Sequence, residues 1–275
     1  MTAAVRLRRT CRWLLALGMA VAPATARSAS APAATHPPPE DRHRLWMLVH
    51  DECAPAAARH RHPPLPCAEV DITHRGASGY AVLKDRAGRY QYLVLPLARI
   101  TGIESPALLA PGAPNYFADA WTARLYVEAA LHAAQPRDAL GLVVNSSQGR
   151  SQDQLHIHVD CIRPDVHAAL LRLRPVVTGR WRPLPAPLPP NGHAYSARWV
   201  DGETLAIDPF KSLAAALPAG DAMARHSLVV VGARSASGKP GFILLSGRVD
   251  RRRGDRGNGD ELQDLACSIA QRPAH

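Results

Sequence analysis

Polar and apolar positions along this chain follow two periods, and the switches between them mark its elements. The clearest helical stretch runs from Asn115 to His132, where Phe117, Trp121, Leu125, Val127, Ala130 and Leu131 recur at near-helical spacing behind Asn115 as a cap. A helix is also expected over Asp41 to Cys53 with Trp46, Leu48 and Val49 inward, and another from Asp165 to Leu173. Ser105 and Pro106 have the chemistry of an N-cap and first turn for a short helix carrying Leu108 and Leu109. Alternation by two marks Gly79 to Lys84 and Tyr90 to Leu97 around Asp85-Arg86-Ala87-Gly88, an antiparallel hairpin. Leu140 to Val144 reads as a short buried strand. Beyond the proline-rich stretch from Pro175 to Pro190, strands are expected over Trp199 to Ile207, Ser227 to Val231 and Phe242 to Leu245, with a helix over Ser212 to Leu217. These elements predict an α+β fold in which the C-terminal half completes a single domain.

Between two of these strands lies the segment richest in chemistry, Asn145 to Cys161. Gln154, His156 and His158 alternate with Leu155, Ile157 and Val159, so a pleated strand would carry one apolar face and one face of an amide and two imidazoles. Gly149, Arg150 and Ser151 precede it as a small, basic, hydroxyl-bearing turn able to point N–H groups and a hydroxyl at a phosphate. Two histidines so spaced form a chance polar face, a pair of metal ligands, or a nucleophile with its neighbour. The adjacent phosphate-binding turn favours phosphoryl or nucleotidyl transfer.

At 275 residues, 47% of them hydrophobic, the chain buries a full core and is not disordered. Residues 1–26 combine an arginine-rich start, an apolar run from Trp13 to Ala22 and the small residues Ala24-Thr25-Ala26. This order is that of a secretory signal, although a retained membrane anchor is the alternative. Residues 27–40 read as an Ala/Pro/Ser-rich linker, and 41–275 as the domain. Without the four arginines of residues 1–26 the net charge falls from +10 to +6, still suited to anionic partners. No nucleic-acid partner is expected, because no zinc-finger or RNA-recognition signature is present. Loss of Cys11 with the leader leaves Cys53, Cys67, Cys161 and Cys267, an even number with three possible pairings in an exported chain. We expect Cys53–Cys67 and Cys161–Cys267.

The run Gly149-Arg150-Ser151-Gln152-Asp153-Gln154-Leu155-His156-Ile157-His158 resembles the histidine triad (HIT) signature, with glutamine at the first triad position. Together with Leu45-Trp46, Cys67-Ala68-Glu69-Val70-Asp71, Arg163-Pro164-Asp165-Val166, Asn115-Tyr116-Phe117 and Glu261-Leu262-Gln263-Asp264, the chain resembles the CDP-diacylglycerol pyrophosphatase branch of that superfamily from Leu45 to Cys267. The resemblance implies a HIT-like antiparallel sheet with packed helices, and hydrolysis of CDP-diacylglycerol to CMP and phosphatidate through a nucleotidyl-histidine intermediate. It implies His156 as nucleophile and His158 as its catalytic neighbour, with no metal and no cofactor. Gln154, Ser151, Asn145, Arg150 and Lys84 are the candidate substrate-binding residues. The implied partners are the lipid substrate and the inner-membrane surface on its periplasmic side, and a homodimer is possible.

Other readings remain open on the residues alone: a HIT-type hydrolase or transferase of soluble nucleotides, a metal-binding periplasmic protein using His156 and His158 with Asp160 or a distant histidine, and a non-catalytic binding protein. Asp160, on the histidine side of the strand, is expected at the surface or behind the site, because a carboxylate close to the substrate would repel its phosphates.

Overall fold

A computed structural model describes residues 41–72 and 78–270; the expected leader and linker lie outside the described residues. Among the described residues nine strands form one sheet in which every pair is antiparallel, an α+β architecture. They are β1 (Cys67–Asp71), β2 (Tyr80–Lys84), β3 (Tyr92–Pro96), β4 (Leu140–Val144), β5 (Ile157–Cys161), β6 (Arg182–Pro183), β7 (Tyr195–Asp201), β8 (His226–Arg234) and β9 (Pro240–Arg248), in the spatial order 1-2-3-5-4-8-9-7-6. Since β8 pairs along β4, from Gly141 opposite Val231 to Val144 opposite Leu228, the last third of the chain extends the same sheet.

Alternate residues of these strands feed two sides. On one, Val94, Leu142, Ile157, Val159, Val230 and Leu244 pack under the long helix α3 (Tyr116–Leu131). Asn115 caps that helix by accepting from the Ala118 N–H, and its amide also donates to the Leu205 and Ile207 carbonyls. The opposite side is covered in two patches. Val49 and Cys53, from a helical run spanning Arg44–Met47, Leu48–Cys53 and Ala54–Ala58, cover Ala81, Leu83, Leu93 and Leu95. The helix α4 (Pro164–Leu173) covers Val143, Val229 and Val231 through Val166, Ala169 and Leu170. His158 lies on β5 between these patches, opposite Leu93 on one neighbour and Val143 on the other.

Both disulfides form as expected, Cys53 with Cys67 and Cys161 with Cys267, across Cα separations of 5.6 and 5.1 Å. Several expected boundaries are corrected. The first helical run continues past Cys53 to Ala58. The strand expected at Trp199 to Ile207 is Tyr195–Asp201, because pairing with β9 from Tyr195 opposite Gly247 to Asp201 opposite Gly241 sets its limits. Gly202, at φ 128°, then turns the chain where a side chain would be strained. The helix expected at Ser212 to Leu217 is Pro209–Ala214, capped by Asp208. No helix among the described residues is long and apolar enough to cross a membrane.

Candidate active site

Ser146 builds the turn that enters the histidine segment. Its N–H donates to the Gly257 carbonyl, and its hydroxyl donates to the Arg256 carbonyl while accepting from the N–H groups of Gln148 and Gly149. A Cβ on Gly149 would lie 2.7 Å from Asn258 Oδ1, so glycine lets the turn press against the 257–258 loop. Two long-range bonds fix the chain beyond it: the Asp153 N–H donates to the Arg42 carbonyl, and the Leu155 N–H to that of Ile100. Arg42 also grips the Asp153 carboxylate with two bonds of 2.7 Å, holding that acid well below the usual carboxylate range.

A cleft of about 440 Å³ opens on the histidine side of the sheet, in the gap between the helical run and the C-terminal segment. His156 and His158 form part of its wall with their ring centroids 4.9 Å apart, edge to face. His156 Nδ1 lies 2.6 Å from the Gln154 carbonyl oxygen. A carbonyl only accepts, so Nδ1 carries the proton and the lone pair belongs to Nε2. Burial, chiefly, then the neighbouring His158 ring, drives the His156 pKa down to about 3, against the opposing pull of that hydrogen bond. The ring is therefore neutral throughout the physiological range. His158 is also shifted down by burial, with Asp260 and Asp85 opposing the shift. Its Nδ1 is 3.3 Å from Gln91 Oε1, and its Nε2 is buried without a protein partner.

The structure gathers some of the expected binding residues at the cleft and diverts others. Ser151 lies exposed on the cleft wall beside His156. Asn145 meets Asp260 of that wall: its amide donates to Asp260 Oδ2 at 2.9 Å, and its own oxygen accepts from the Asp260 N–H. Gln154 departs from expectation. The ladder of β5 begins only at Ile157, and before it the Gln154 amide is buried, donating to the Pro96 and Ala98 carbonyls. Its backbone carbonyl, and not its side chain, orients His156. Arg150 is not a solvated phosphate hook, because its buried guanidinium is occupied by Glu104 and Asp153. Lys84 donates to the Asp85 and Gly88 carbonyls and does not line the cleft.

Asp160 is fully buried, not at the surface. One oxygen accepts from the Cys161 N–H, the other has no partner, and burial pushes its pKa up to about 7. Among the described residues His156 and His158 gather no third metal ligand; Asp160, Cys161 and Cys267 converge, but the two cysteines are spent on each other.

Three polar cleft residues, Arg44, Gln91 and Asp260, escape a sequence reading, and Gln263 stands there only within a matching stretch. Arg44 stands exposed on the wall and supplies a positive charge there. Gln263 donates to the Gly141 and His158 carbonyls, tying the C-terminal segment to the histidine strand. Only the match at Glu261-Leu262-Gln263-Asp264 hinted at that segment's role.

A family profile described as CDP-diacylglycerol pyrophosphatase matches residues 40–271. The CDP-diacylglycerol pyrophosphatase of Yersinia pestis is 39% identical over 227 residues, covering 82% of this chain and 84% of the relative.

Proposed function

The chain belongs to the CDP-diacylglycerol pyrophosphatase family, and from that premise we propose that it hydrolyses CDP-diacylglycerol with His156 as the nucleophile. The observation that carries this reading is the 2.6 Å bond from Nδ1–H to the Gln154 carbonyl, which leaves the cleft-lining imidazole neutral with its lone pair on Nε2. No base has to remove a proton before attack, so the depressed pKa assists the role.

In the first step Nε2 forms a bond to the CMP phosphorus while the bond from that phosphorus to the bridging oxygen breaks. Phosphatidate departs as an anion. A phosphate leaving group needs no proton, so an uncharged glutamine at position 154 is compatible with the reaction. Water then attacks the nucleotidyl-histidine, the P–N bond breaks with its electrons returning to Nε2, and the water proton goes to solvent. The Ser151 hydroxyl and the Arg44 guanidinium are suited to the non-bridging oxygens, where charge accumulates. Burial keeps the His156 ring neutral, and His158, edge-on to it, adds to that effect.

The helix α3 laid across an antiparallel sheet whose strand β5 carries His158, with His156 just before it, supports a HIT-like fold. Two disulfides suit an oxidising compartment, which is consistent with action at the periplasmic side of the inner membrane.

CMP release by wild type and by His156→Ala, with acid-free trapping of cytidine-labelled enzyme, tests the assignment. We expect the variant to lose about a thousandfold or more in kcat, and the trapped label to map to His156. Normal turnover by the variant, or a label on another histidine, would overturn it.

A further inference from the structure

The catalytic turn has a second neighbour besides the cleft. On its other side runs a trough of about 730 Å³ whose wall includes Arg225, Arg248, Arg251, Arg252 and Arg253, against the carboxylates Asp250 and Asp255. An adjoining hollow shares Gln148, Arg251 and Asp255 with it and adds Arg42 and Arg256. Gln148 belongs to the Ser146–Gln152 turn, whose far end supplies Ser151 and Gln152 to the cleft. One turn thus contributes to both the basic surface and the wall of the active site.

Charge runs of this kind are usually flexible and merely solvated, but this one is built. Asp250 caps the tight turn at Arg251–Arg253 by accepting from the Arg252 N–H, and Gly254 closes it at φ 74°. The Asp250 N–H and the Asp255 carbonyl staple the base of the loop, and the Arg251 guanidinium donates to Gln148 Oε1. Asp221 engages Arg248 at 2.8 Å and Arg225 at 3.9 Å, so those two are partly neutralised. Arg252 and Arg253 are exposed, and the acid beside Arg253 is Asp250 at 3.7 Å. A turn fixed by these bonds loses little backbone freedom on meeting an anionic plane, and the planar guanidinium fork is pre-organised for phosphate.

We infer that this arginine-lined trough docks the protein on anionic phospholipid and thereby presents the cleft to lipid-borne substrate. The inference rests on the proposed reaction at a membrane. Guanidiniums recognise phosphodiester headgroups in pairs, and a basic face gains affinity with every anionic lipid it gathers within a Debye length.

The test uses the full chain and reads CMP release from CDP-diacylglycerol in three carriers: neutral detergent micelles, phosphatidylcholine vesicles, and vesicles with phosphatidylglycerol added. Wild type should show an apparent KM about tenfold lower on the anionic vesicles than on the neutral ones, an advantage erased by high salt. R252E/R253E should lose that advantage and keep wild-type kcat and KM in micelles, while R180E/R182E, equal in charge change but outside the trough, should keep it. R252Q/R253Q gives a milder version should the reversal impair folding. A retained preference in both trough variants, or no preference in wild type, would overturn the inference. No CMP release in any carrier would instead strike the reaction itself.

Discussion

The substitution Asp160→Asn should reveal a titration hidden inside the site. From pH 7 to 5 an unfolded histidine with the ordinary pKa of 6.5 takes up most of a proton, whereas His156, held near 3, refuses it. Acidification over this window therefore favours the unfolded chain, by about 2 kcal/mol for this one residue. Asp160 works in the opposite sense. Its pKa stands near 7 when folded against 3.8 when unfolded, so the native state takes up a proton between those values and gains about 2 kcal/mol from pH 7 to 5. The two effects nearly cancel in wild type. An asparagine there is close in shape to the protonated acid and its oxygen can still accept from the Cys161 N–H, but it does not titrate. Urea unfolding at pH 5, 6 and 7 is the assay. The stability difference between variant and wild type should move by about 2 kcal/mol in the variant's favour as pH rises from 5 to 7. Parallel curves for the two proteins would refute the claim that Asp160 is protonated in the folded state. The functional corollary is that this carboxyl, two residues along the strand from His158, carries only part of a negative charge at neutral pH and loses it as the pH falls below 7.

The two disulfides should contribute unequally. Cys161–Cys267 spans 106 residues and Cys53–Cys67 spans 14, so their double-alanine variants should lose about 5 and about 3 kcal/mol in urea unfolding; equal losses would contradict the loop-entropy account. Arg44→Ala should raise the KM for CDP-diacylglycerol about tenfold, the value of one charge-assisted bond at an exposed site, with kcat reduced less. An unchanged KM would remove Arg44 from the substrate's contacts.

The apolar pattern located the helices and most strands because burial of one face is a local property of the chain. Leu155, Ile157 and Val159 turn into the core under α3 as alternation requires, and Asn115 caps that helix as its side chain suggests. The disulfide pairs Cys53–Cys67 and Cys161–Cys267 are the expected ones of the three pairings open to these four cysteines. What local pattern cannot supply is which polar groups stay free. Gln154 shares the parity of the two histidines, yet the β3–β5 ladder reaches only as far as Val94 opposite Ile157. Beyond that point the chain meets the open carbonyls of Pro96 and Ala98, and the amide is spent there.

Arg150 illustrates the same rule with a charge. Its partners are Asp153, three residues on, and Glu104, 46 residues back, and nothing near Arg150 in sequence announces the second. The pair of acids makes Arg150 a brace for the turn, while Arg44, an exposed residue of the first helical run, lines the cleft. Local pattern alone therefore does not separate an arginine held by acids, Arg150, from one that lines the cleft, Arg44. The reason is how the cleft is assembled: its walls come from the first helical run, the β2–β3 turn, the histidine segment and the C-terminal segment. Contacts over long sequence distances, Arg42 with Asp153 and Asn145 with Asp260, hold those parts together. His156 escapes the ambiguity because its orienting partner is the backbone carbonyl two residues earlier, a contact short enough in sequence for the motif itself to carry.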